Sequence, residues 1–318
     1  LIFPYREIGV RTPIHIRFAG YSPPDTAHSR AAARFRDKLT ARLGSSVRVD
    51  LFWNVFDFGY KGMDLTNMVE SGQLTMCYSS TGYGLSDLIP ELRIIDPPFF
   101  FDSVEHAHRA LDGELGAYLT HRIESRKGCR IIGYWDNGFR HISNRLRPIR
   151  TPEDCAGLRI RLMPNEIHKK TFELLGAAPF PMNLERGIAM MASGELDAQE
   201  NPLANTSAYG IHKFHEYITM TGHFYAARAI YAHKQSFDSW PEEIQAAVRE
   251  SIKEAILYQR EIAQAEEIKK RGELEGAGIA FVDLTAEERS RFENAVSPIV
   301  EEARGQLPKE LFRLADRR

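Results

Sequence analysis

Neither sign of charge is in excess in this sequence: 41 Lys and Arg stand against 43 Asp and Glu, a formal net charge of −2 at pH 7. That balance excludes the basic stripe of a nucleic-acid binder or of a protein held on an anionic membrane surface. Long apolar runs are missing too. Nothing approaches the ~18 consecutive apolar residues of a membrane span, and the chain opens at Leu1 without the basic region, apolar region and small-residue site of a secretory signal. The expectation is either a cytosolic protein or one whose signal has been removed. Cysteine is scarce. Cys77, Cys129 and Cys155 are too widely spaced for a zinc ribbon or a redox pair, and an odd number leaves at least one thiol unpaired, so buried free thiols are expected.

Signatures of catalysis are absent as well. There is no phosphate-cradling Gly-x-x-x-x-Gly-Lys, no Gly-x-Ser-x-Gly elbow and no His-Glu-x-x-His zinc pair. His212 and His215 could share a helix face, but two imidazoles without a third ligand read as surface or core residues. His106 and His108 do not converge. Asp197 and Glu200 fall at a strand end and its loop, where capping or bridging between lobes fits better than acid/base work. No metal, cofactor or catalysis is expected. Internal repeats and low-complexity tracts are missing.

What is present is a β/α rhythm, in a chain of 318 residues, about twice the ~150 usual for one domain. Ile14 to Ala19 alternates like a half-buried strand and Ser22-Pro23-Pro24-Asp25 forces a turn. A helix over Ala27–Leu43, a strand over Val47–Trp53, a helix over Leu65–Glu70 and a strand over Leu74–Tyr78 follow. This is the order of an open α/β sheet, where ligands bind outside the carboxyl ends of strands, so Tyr21, Asn54 and the loop bearing Tyr83 are candidates for a site wall. A helix is predicted over Val104–Ser125 and a strand over Arg130–Trp135, and Asp136-Asn137-Gly138 reads as a turn or crossover. Thr151-Pro152-Glu153-Asp154 opens a short helix, stopped by Gly157 before the strand Leu158–Met163. Helices over Glu166–Leu175 and Leu184–Ala192 and a strand over Leu196–Ala198 repeat the rhythm in a second lobe. Ser239-Trp240-Pro241-Glu242 reads as a capping box opening a helix that runs at least to Arg271, ~50 Å at 1.5 Å per residue, long enough to span both lobes unless it breaks midway. Thr285-Ala286-Glu287-Glu288 opens the last large helix, with Phe292, Val296, Ile299 and Val300 as its core stripe.

Strand alternation puts Arg159 and Arg161 on one face and Leu158, Ile160 and Leu162 on the other. Two arginines rarely share a buried face unless it meets an anion or solvent, because an unpaired buried charge costs several kcal/mol. Guanidinium pairs with carboxylate through a planar fork, each charge-assisted bond contributing on the order of 1.5–3 kcal/mol. Alternation alone does not choose between the two arginines.

The runs TPEDCAGLRIRLMPN (Thr151 to Asn165) and LLGAAPFPMNLERGIAMMASGELDAQENPL (Leu174 to Leu203) closely resemble the periplasmic solute-binding subunits of TRAP transporters, the DctP-type proteins. GYWDNGFRHISN (Gly133 to Asn144), PELRIIDPPFFF (Pro90 to Phe101), TGHFY (Thr221 to Tyr225) and SWPEEIQ (Ser239 to Gln245) fit the same family in the same order. The resemblance implies a two-lobed α/β periplasmic binding protein of the type II kind, with a ligand cleft between the lobes and a long helix across both. Residues 1–137 with 226–265 would form the first lobe, and 138–225 with 266–318 the second. It assigns the carboxylate salt bridge to Arg161, a second anion contact to Arg140 and an orienting amide to Asn201. Trp135, Phe139, Leu184 and Tyr225 would line the cleft, with Tyr21 and Tyr83 from the first lobe. It implies export to the periplasm, a monomer, and small and large membrane subunits as partners; a sensor would use the same cleft. Asn54 to Gly59 departs from the family pattern, and the cleft-side segments are rich in aromatics. A hydroxy, keto or aromatic monocarboxylate therefore fits better than a short dicarboxylate, with a sugar acid as close rival.

Overall fold

The computed structural model describes residues 12–81 and 85–316. Alternation in IHIRFA gives β1 (Ile14–Ala19), and the proline turn leads into α1 (Ala27–Leu43), whose N-cap Thr26 accepts the Ser29 amide. There follow β2 (Val47–Phe52), α2 (Leu65–Glu70), β3 (Met76–Ser80) and the single turn α3 (Leu85–Leu88). The helix expected over Val104–Ser125 is divided at Gly113 into α4 (Val104–Asp112) and α5 (Glu114–Glu124). Gly116 packs against the Leu111 carbonyl more closely than any Cβ permits, which fixes the break.

Next comes β4 (Cys129–Asn144), which runs straight through Asp136-Asn137-Gly138. The register shifts between Asp136 and Gly138, and Gly138 has a φ of 95°. The triplet is thus a bulge in a continuous strand rather than a turn, because ladder pairing resumes on both sides of it. Then follow β5 (Arg159–Leu162), α6 (Glu166–Leu174), β6 (Ala178–Pro181), α7 (Leu184–Ala192), β7 (Ala198–Asn201) and α8 (Leu203–Ala208). The chain closes with β8 (Tyr217–His233), α9 (Lys234–Ser239), α10 (Glu242–Gly276), β9 (Ala280–Val282), α11 (Ala286–Gln306) and α12 (Lys309–Asp316). Strand β6, unforeseen because of Pro179 and Pro181, ends the sheet, where a missing N–H is tolerated.

The strands make one sheet in the order β2-β1-β3-β8-β4-β7-β5-β6, with β9 beside β8. β1, β2 and β3 run parallel to one another, as do β5, β6 and β7, and each set meets the antiparallel β4–β8 pair in the middle. One apolar core gathers Ile16, Phe18, Phe35, Tyr78, Trp135 and Tyr231. A second gathers Ile142, Ile160, Leu162, Phe172, Phe292 and Val296. Leu311, Phe312 and Leu314 near the carboxyl end pack into the first core against α4 and α5, whereas the resemblance places 266–318 in the second lobe. Two further ties join the halves. Asn165, the N-cap of α6, donates to Asp96 at 3.0 Å, and the Phe99 amide donates to the His223 carbonyl at 2.8 Å.

Helix α10 has 35 residues, about 52 Å of helix, and stays unbroken through Gly272. Ile244, Val248 and Ile252 belong to the first core, while Leu274 packs with Leu203, Ile218 and Ile279 in a separate cluster. The expected Ser239 cap does not form. Ser239 closes α9 and donates to the Ser236 carbonyl, and Pro241 precedes α10 without a capping side chain. The Thr285 capping box does form at the start of α11, whose Phe292, Val296 and Ile299 are buried and Val300 half-buried.

Candidate functional site

The sheet register locates the site. β3 ends at Ser80, opposite Arg228 of β8, and β7 ends at Asn201, opposite His141 of β4. The carboxyl ends of both strand sets therefore point toward the middle of the β4–β8 ladder, where Trp135 pairs with Arg228. The stretch Trp135–His141, at 3.3 Å per residue, separates them by at most about 20 Å. Ligands of open α/β sheets bind outside such carboxyl ends.

On the second-lobe side, the two arginines of β5 part company. Arg159 is half-exposed and pairs with Asp197, Nη2 to Oδ1 2.7 Å and Nε to Oδ2 2.8 Å. Arg145 reaches the same carboxylate at 2.8 Å. Hydrogen bonds from Arg159, aided by Arg145, outweigh partial burial and hold the Asp197 carboxyl down at about 2. Asp197 is thus a structural anion within the second lobe. Arg161 is 3 % exposed and its Nη2 donates to the Met182 carbonyl at 2.9 Å. Its stem passes Gly187 of α7, where an added Cβ would stand 2.6 Å from Arg161 Cγ. A glycine at that helix position is what lets this side chain lie where it does.

Arg140 is buried, and its guanidinium engages Glu200 on the neighbouring strand, Nη2 to Oε1 2.8 Å and Nη2 to the Glu200 carbonyl 2.6 Å, with Nε on the second carboxylate oxygen. Burial pushes the Glu200 carboxyl up, but the charge and hydrogen bonds of Arg140, with a hydrogen bond from His223, outweigh it and keep the group ionised. The second cation expected to face an anion is thus offset inside the protein. His223 and His168 flank this pair; burial lowers both, His168 to about 3. Asn201 donates to Gln199 Oε1 at 2.6 Å and accepts from Asn205, which also reaches Asn137 in the β4 bulge at 3.2 Å. The amide at the end of β7 is thus linked through Asn205 to the β4 bulge.

The expected cleft aromatics differ in their surroundings. Trp135 is fully buried in the first core, one face stacked on Phe18 at 6.0 Å and Tyr78 5.2 Å away, so it offers no ring face to a ligand. Phe139 and Tyr225 meet edge to face at 5.4 Å, and the Tyr225 hydroxyl donates to Asp136. His108 Nε2 lies 2.7 and 2.9 Å from the two oxygens of that carboxylate, and Gln259 of α10 clamps the Asp136 amide and carbonyl at 2.8 Å each. These contacts fix the β4 bulge against α4, β8 and α10. Tyr21 bridges to Asn54 at the carboxyl ends of β1 and β2, and Leu184 is buried at the start of α7. Tyr83 lies outside the described residues.

A cavity of about 980 Å³ lies beside the β4 bulge, walled by Asp136–Phe139, His141, Asn205, Glu267 and Arg289 among others. Among the described residues, Phe139 is the one expected contact that lines it. Sequence reasoning missed Arg228, a buried cation in the apolar run of β8 that donates to Ser22 Oγ at 2.9 Å. Its signal was a lone arginine amid apolar residues. Cys77, Cys129 and Cys155 are free and buried, with burial pushing the last two thiols up to about 12. Among the described residues no group of three His, Cys, Asp or Glu side chains could hold a metal ion, and no helix is long and apolar enough to cross a membrane.

Two α/β halves on one sheet, opposed strand ends and a helix bridging both halves define a two-lobed binding protein with a cleft between the lobes. The chain matches the family of bacterial extracellular solute-binding proteins, family 7, over residues 18–306, and it belongs to that family. It is 30 % identical over 283 residues to the 2,3-diketo-L-gulonate-binding periplasmic protein YiaO of Escherichia coli, covering 88 % of this chain and 84 % of the relative. To the C4-dicarboxylate-binding periplasmic protein DctP of Rhodobacter capsulatus it is 27 % identical over 291 residues, 91 % of this chain and 86 % of that one. In fold it is similar to the sugar acid binding protein DctPAm from Advenella mimigardefordensis in complex with galactonate, with a TM-score of 0.89, 26 % identity, and coverage of 96 % and 97 % of the two chains. The resemblance to TRAP periplasmic solute-binding proteins therefore holds, and family and fold are those of binding proteins.

Proposed function

We propose that this protein works in the periplasm as a monomeric receptor that clasps a hydroxylated organic acid, held by Arg161, and hands it to the small and large membrane subunits of a TRAP-type transporter without transforming it. The lobes would divide at 137/138 and 225/226, where β4 and β8 pass from one core to the other. The observation that carries this reading is Arg161, a buried cation at the carboxyl end of β5, given its room by a glycine of α7. A fork-like carboxylate contact there would contribute ~1.5–3 kcal/mol per bond toward the ~8 kcal/mol of micromolar affinity. Asn201, tied through Asn205 to the hinge bulge, would orient the same carboxylate.

Aromatic tails lose support because the Trp135, Phe139 and Tyr225 rings are engaged with neighbours. Hydroxylated acids gain it from the chemistry of relatives named for 2,3-diketo-L-gulonate and solved with galactonate. A thermal-shift screen over organic acids tests the reading, since a ligand at 100 times its dissociation constant adds about 2.7 kcal/mol of stability. Arg161→Lys keeps the charge and loses the planar fork. Affinity for every acid that binds should fall at least tenfold, and unchanged affinity by calorimetry would sink the assignment.

A further inference from the structure

A second groove lies on the first half of the molecule, apart from the carboxylate site. On α5, Gly113 at the N-cap and then Gly116, Ala117 and Thr120 follow at helical spacing and share one face. On α10, Arg249, Lys253, Ile256, Leu257 and Arg260 do the same. The two faces line one cavity of about 520 Å³, to which β4 adds Ile132 and Tyr134. Glycine and alanine on α5 are what leave the space open. Its volume falls in the ~300–1,000 Å³ range of small-molecule sites. None of the residues assigned to the carboxylate lines it.

Ion pairs set the alignment of the two helices. Arg260 pairs with Asp112, just before α5, and Arg130 pairs with Glu124 at its end. Arg130 and Arg249 both lie over the Phe237 ring, so the end of α5 meets the start of α10. Gly113 to Thr120 and Arg260 to Lys253 each span two helical turns, about 10 Å, so Thr120 and Lys253 stand level. The Tyr134 hydroxyl comes close to Thr120 without reaching hydrogen-bonding geometry, and Thr120 gives its own proton to the Gly116 carbonyl at 2.8 Å. Tyr134 is 4 % exposed, and burial pushes its hydroxyl up, so the group keeps its proton and is a donor without a partner. Such a group is costly to leave unmet.

The charges around the groove do not cancel. Glu124 and Asp238 offset Arg130, and Asp112 offsets Arg260. Arg249 donates to Gln245 of its own helix and Lys253 is exposed; among the described residues neither is paired with an acid. The remaining wall is apolar: Ile132 and Ile256 are half-buried and Leu257 is 61 % exposed. An apolar strip that ends at two uncompensated cations and a buried donor suits a molecule with a negative head and an apolar tail.

We propose that this groove is a second binding site, for a single-chain amphiphile with an anionic head. Lys253 and the Tyr134 hydroxyl take the head, with Arg249 one turn away, and Ile256 and Leu257 take the tail. The assignment does not depend on which acid the cleft holds.

Octanoate is the probe, titrated into the full chain by calorimetry beside octanol and butyrate. The head contact should make octanoate bind roughly tenfold or more tightly than octanol, and the tail should make it bind roughly fivefold or more tightly than butyrate. Tyr134→Phe and Lys253→Gln should each weaken octanoate at least about threefold. Ala117→Leu fills the groove from an exposed position and should abolish binding. Arg161→Lys should leave octanoate affinity unchanged, because that residue belongs to the cleft. The idea fails if octanoate does not bind, if octanol binds equally well, or if Ala117→Leu binds octanoate as the wild type does. A loss of octanoate binding in Arg161→Lys would place the probe in the cleft and overturn it too. Lys253→Gln changes a solvent-exposed side chain, so that arm decides the matter even if Ala117→Leu fails to fold.

Discussion

Replacing Gly187 by alanine tests how Arg161 is held without touching the arginine. A Cβ at this position of α7 would stand 2.6 Å from Arg161 Cγ and 3.1 Å from both Cδ and Nε, inside van der Waals contact. Two effects on stability oppose each other. Alanine is preferred to glycine inside a helix by ~0.8–1 kcal/mol, while forcing an extra methyl into a packed site costs ~1–3 kcal/mol. Net stability should fall by no more than about 2 kcal/mol, and the protein should fold. Binding has no compensating gain. The clash displaces the arginine stem, and losing one charge-assisted bond of ~1.5–3 kcal/mol weakens affinity roughly 10- to 150-fold. Titration calorimetry with the best acid, beside a melting curve, separates the two quantities. Gly272→Ala in α10 is the control: nothing lies within 4 Å of its added Cβ, so it should gain stability and bind as the wild type does. A folded Gly187→Ala protein with wild-type affinity would refute the placement of Arg161 as the anion anchor.

Glu200→Gln leaves Arg140 buried beside a neutral amide, and breaking a buried ion pair this way should cost roughly 3–5 kcal/mol in denaturant unfolding. Asp197 makes stability acid-sensitive: its carboxyl titrates at about 2 folded against 3.8 unfolded, so between these values the unfolded chain binds more protons. The ~2 kcal/mol it contributes is present above about pH 4 and is lost as pH falls through 2; Asp197→Asn should flatten that part of the stability–pH curve.

Part of the fold was legible because its signals are local. Alternation in IHIRFA, the proline turn and the Thr285 capping box each act within a few residues, and no distant contact overrides them. The elements that escaped are those set by neighbours in space. Strand β8 is apolar on both faces because it lies mid-sheet, so it shows no alternation. Asp136-Asn137-Gly138 has turn chemistry, yet ladder pairing on both sides of it, with Gln259 holding the Asp136 backbone, turns it into a bulge. The Ser239 box was claimed by the end of α9 before α10 could use it.

The arginines show where residue patterns lose resolution. Arg159 and Arg161 share a face, as alternation requires, and what separates them is not in their own strand. Asp197, shared with Arg145, holds Arg159 near the surface, while a missing side chain at Gly187, 26 residues downstream of Arg161, lets the other run inward. A glycine in a helix has many reasons to be there, and only the contact reveals this one. Arg228 is the converse. The cost of burying charge, which drew attention to β5, applies with more force to a single arginine flanked by Ala227 and Ala229 in an apolar strand. Such an arginine must answer to something nearby, and here the Ser22 hydroxyl and the Tyr21 ring, just past the carboxyl end of β1, meet it.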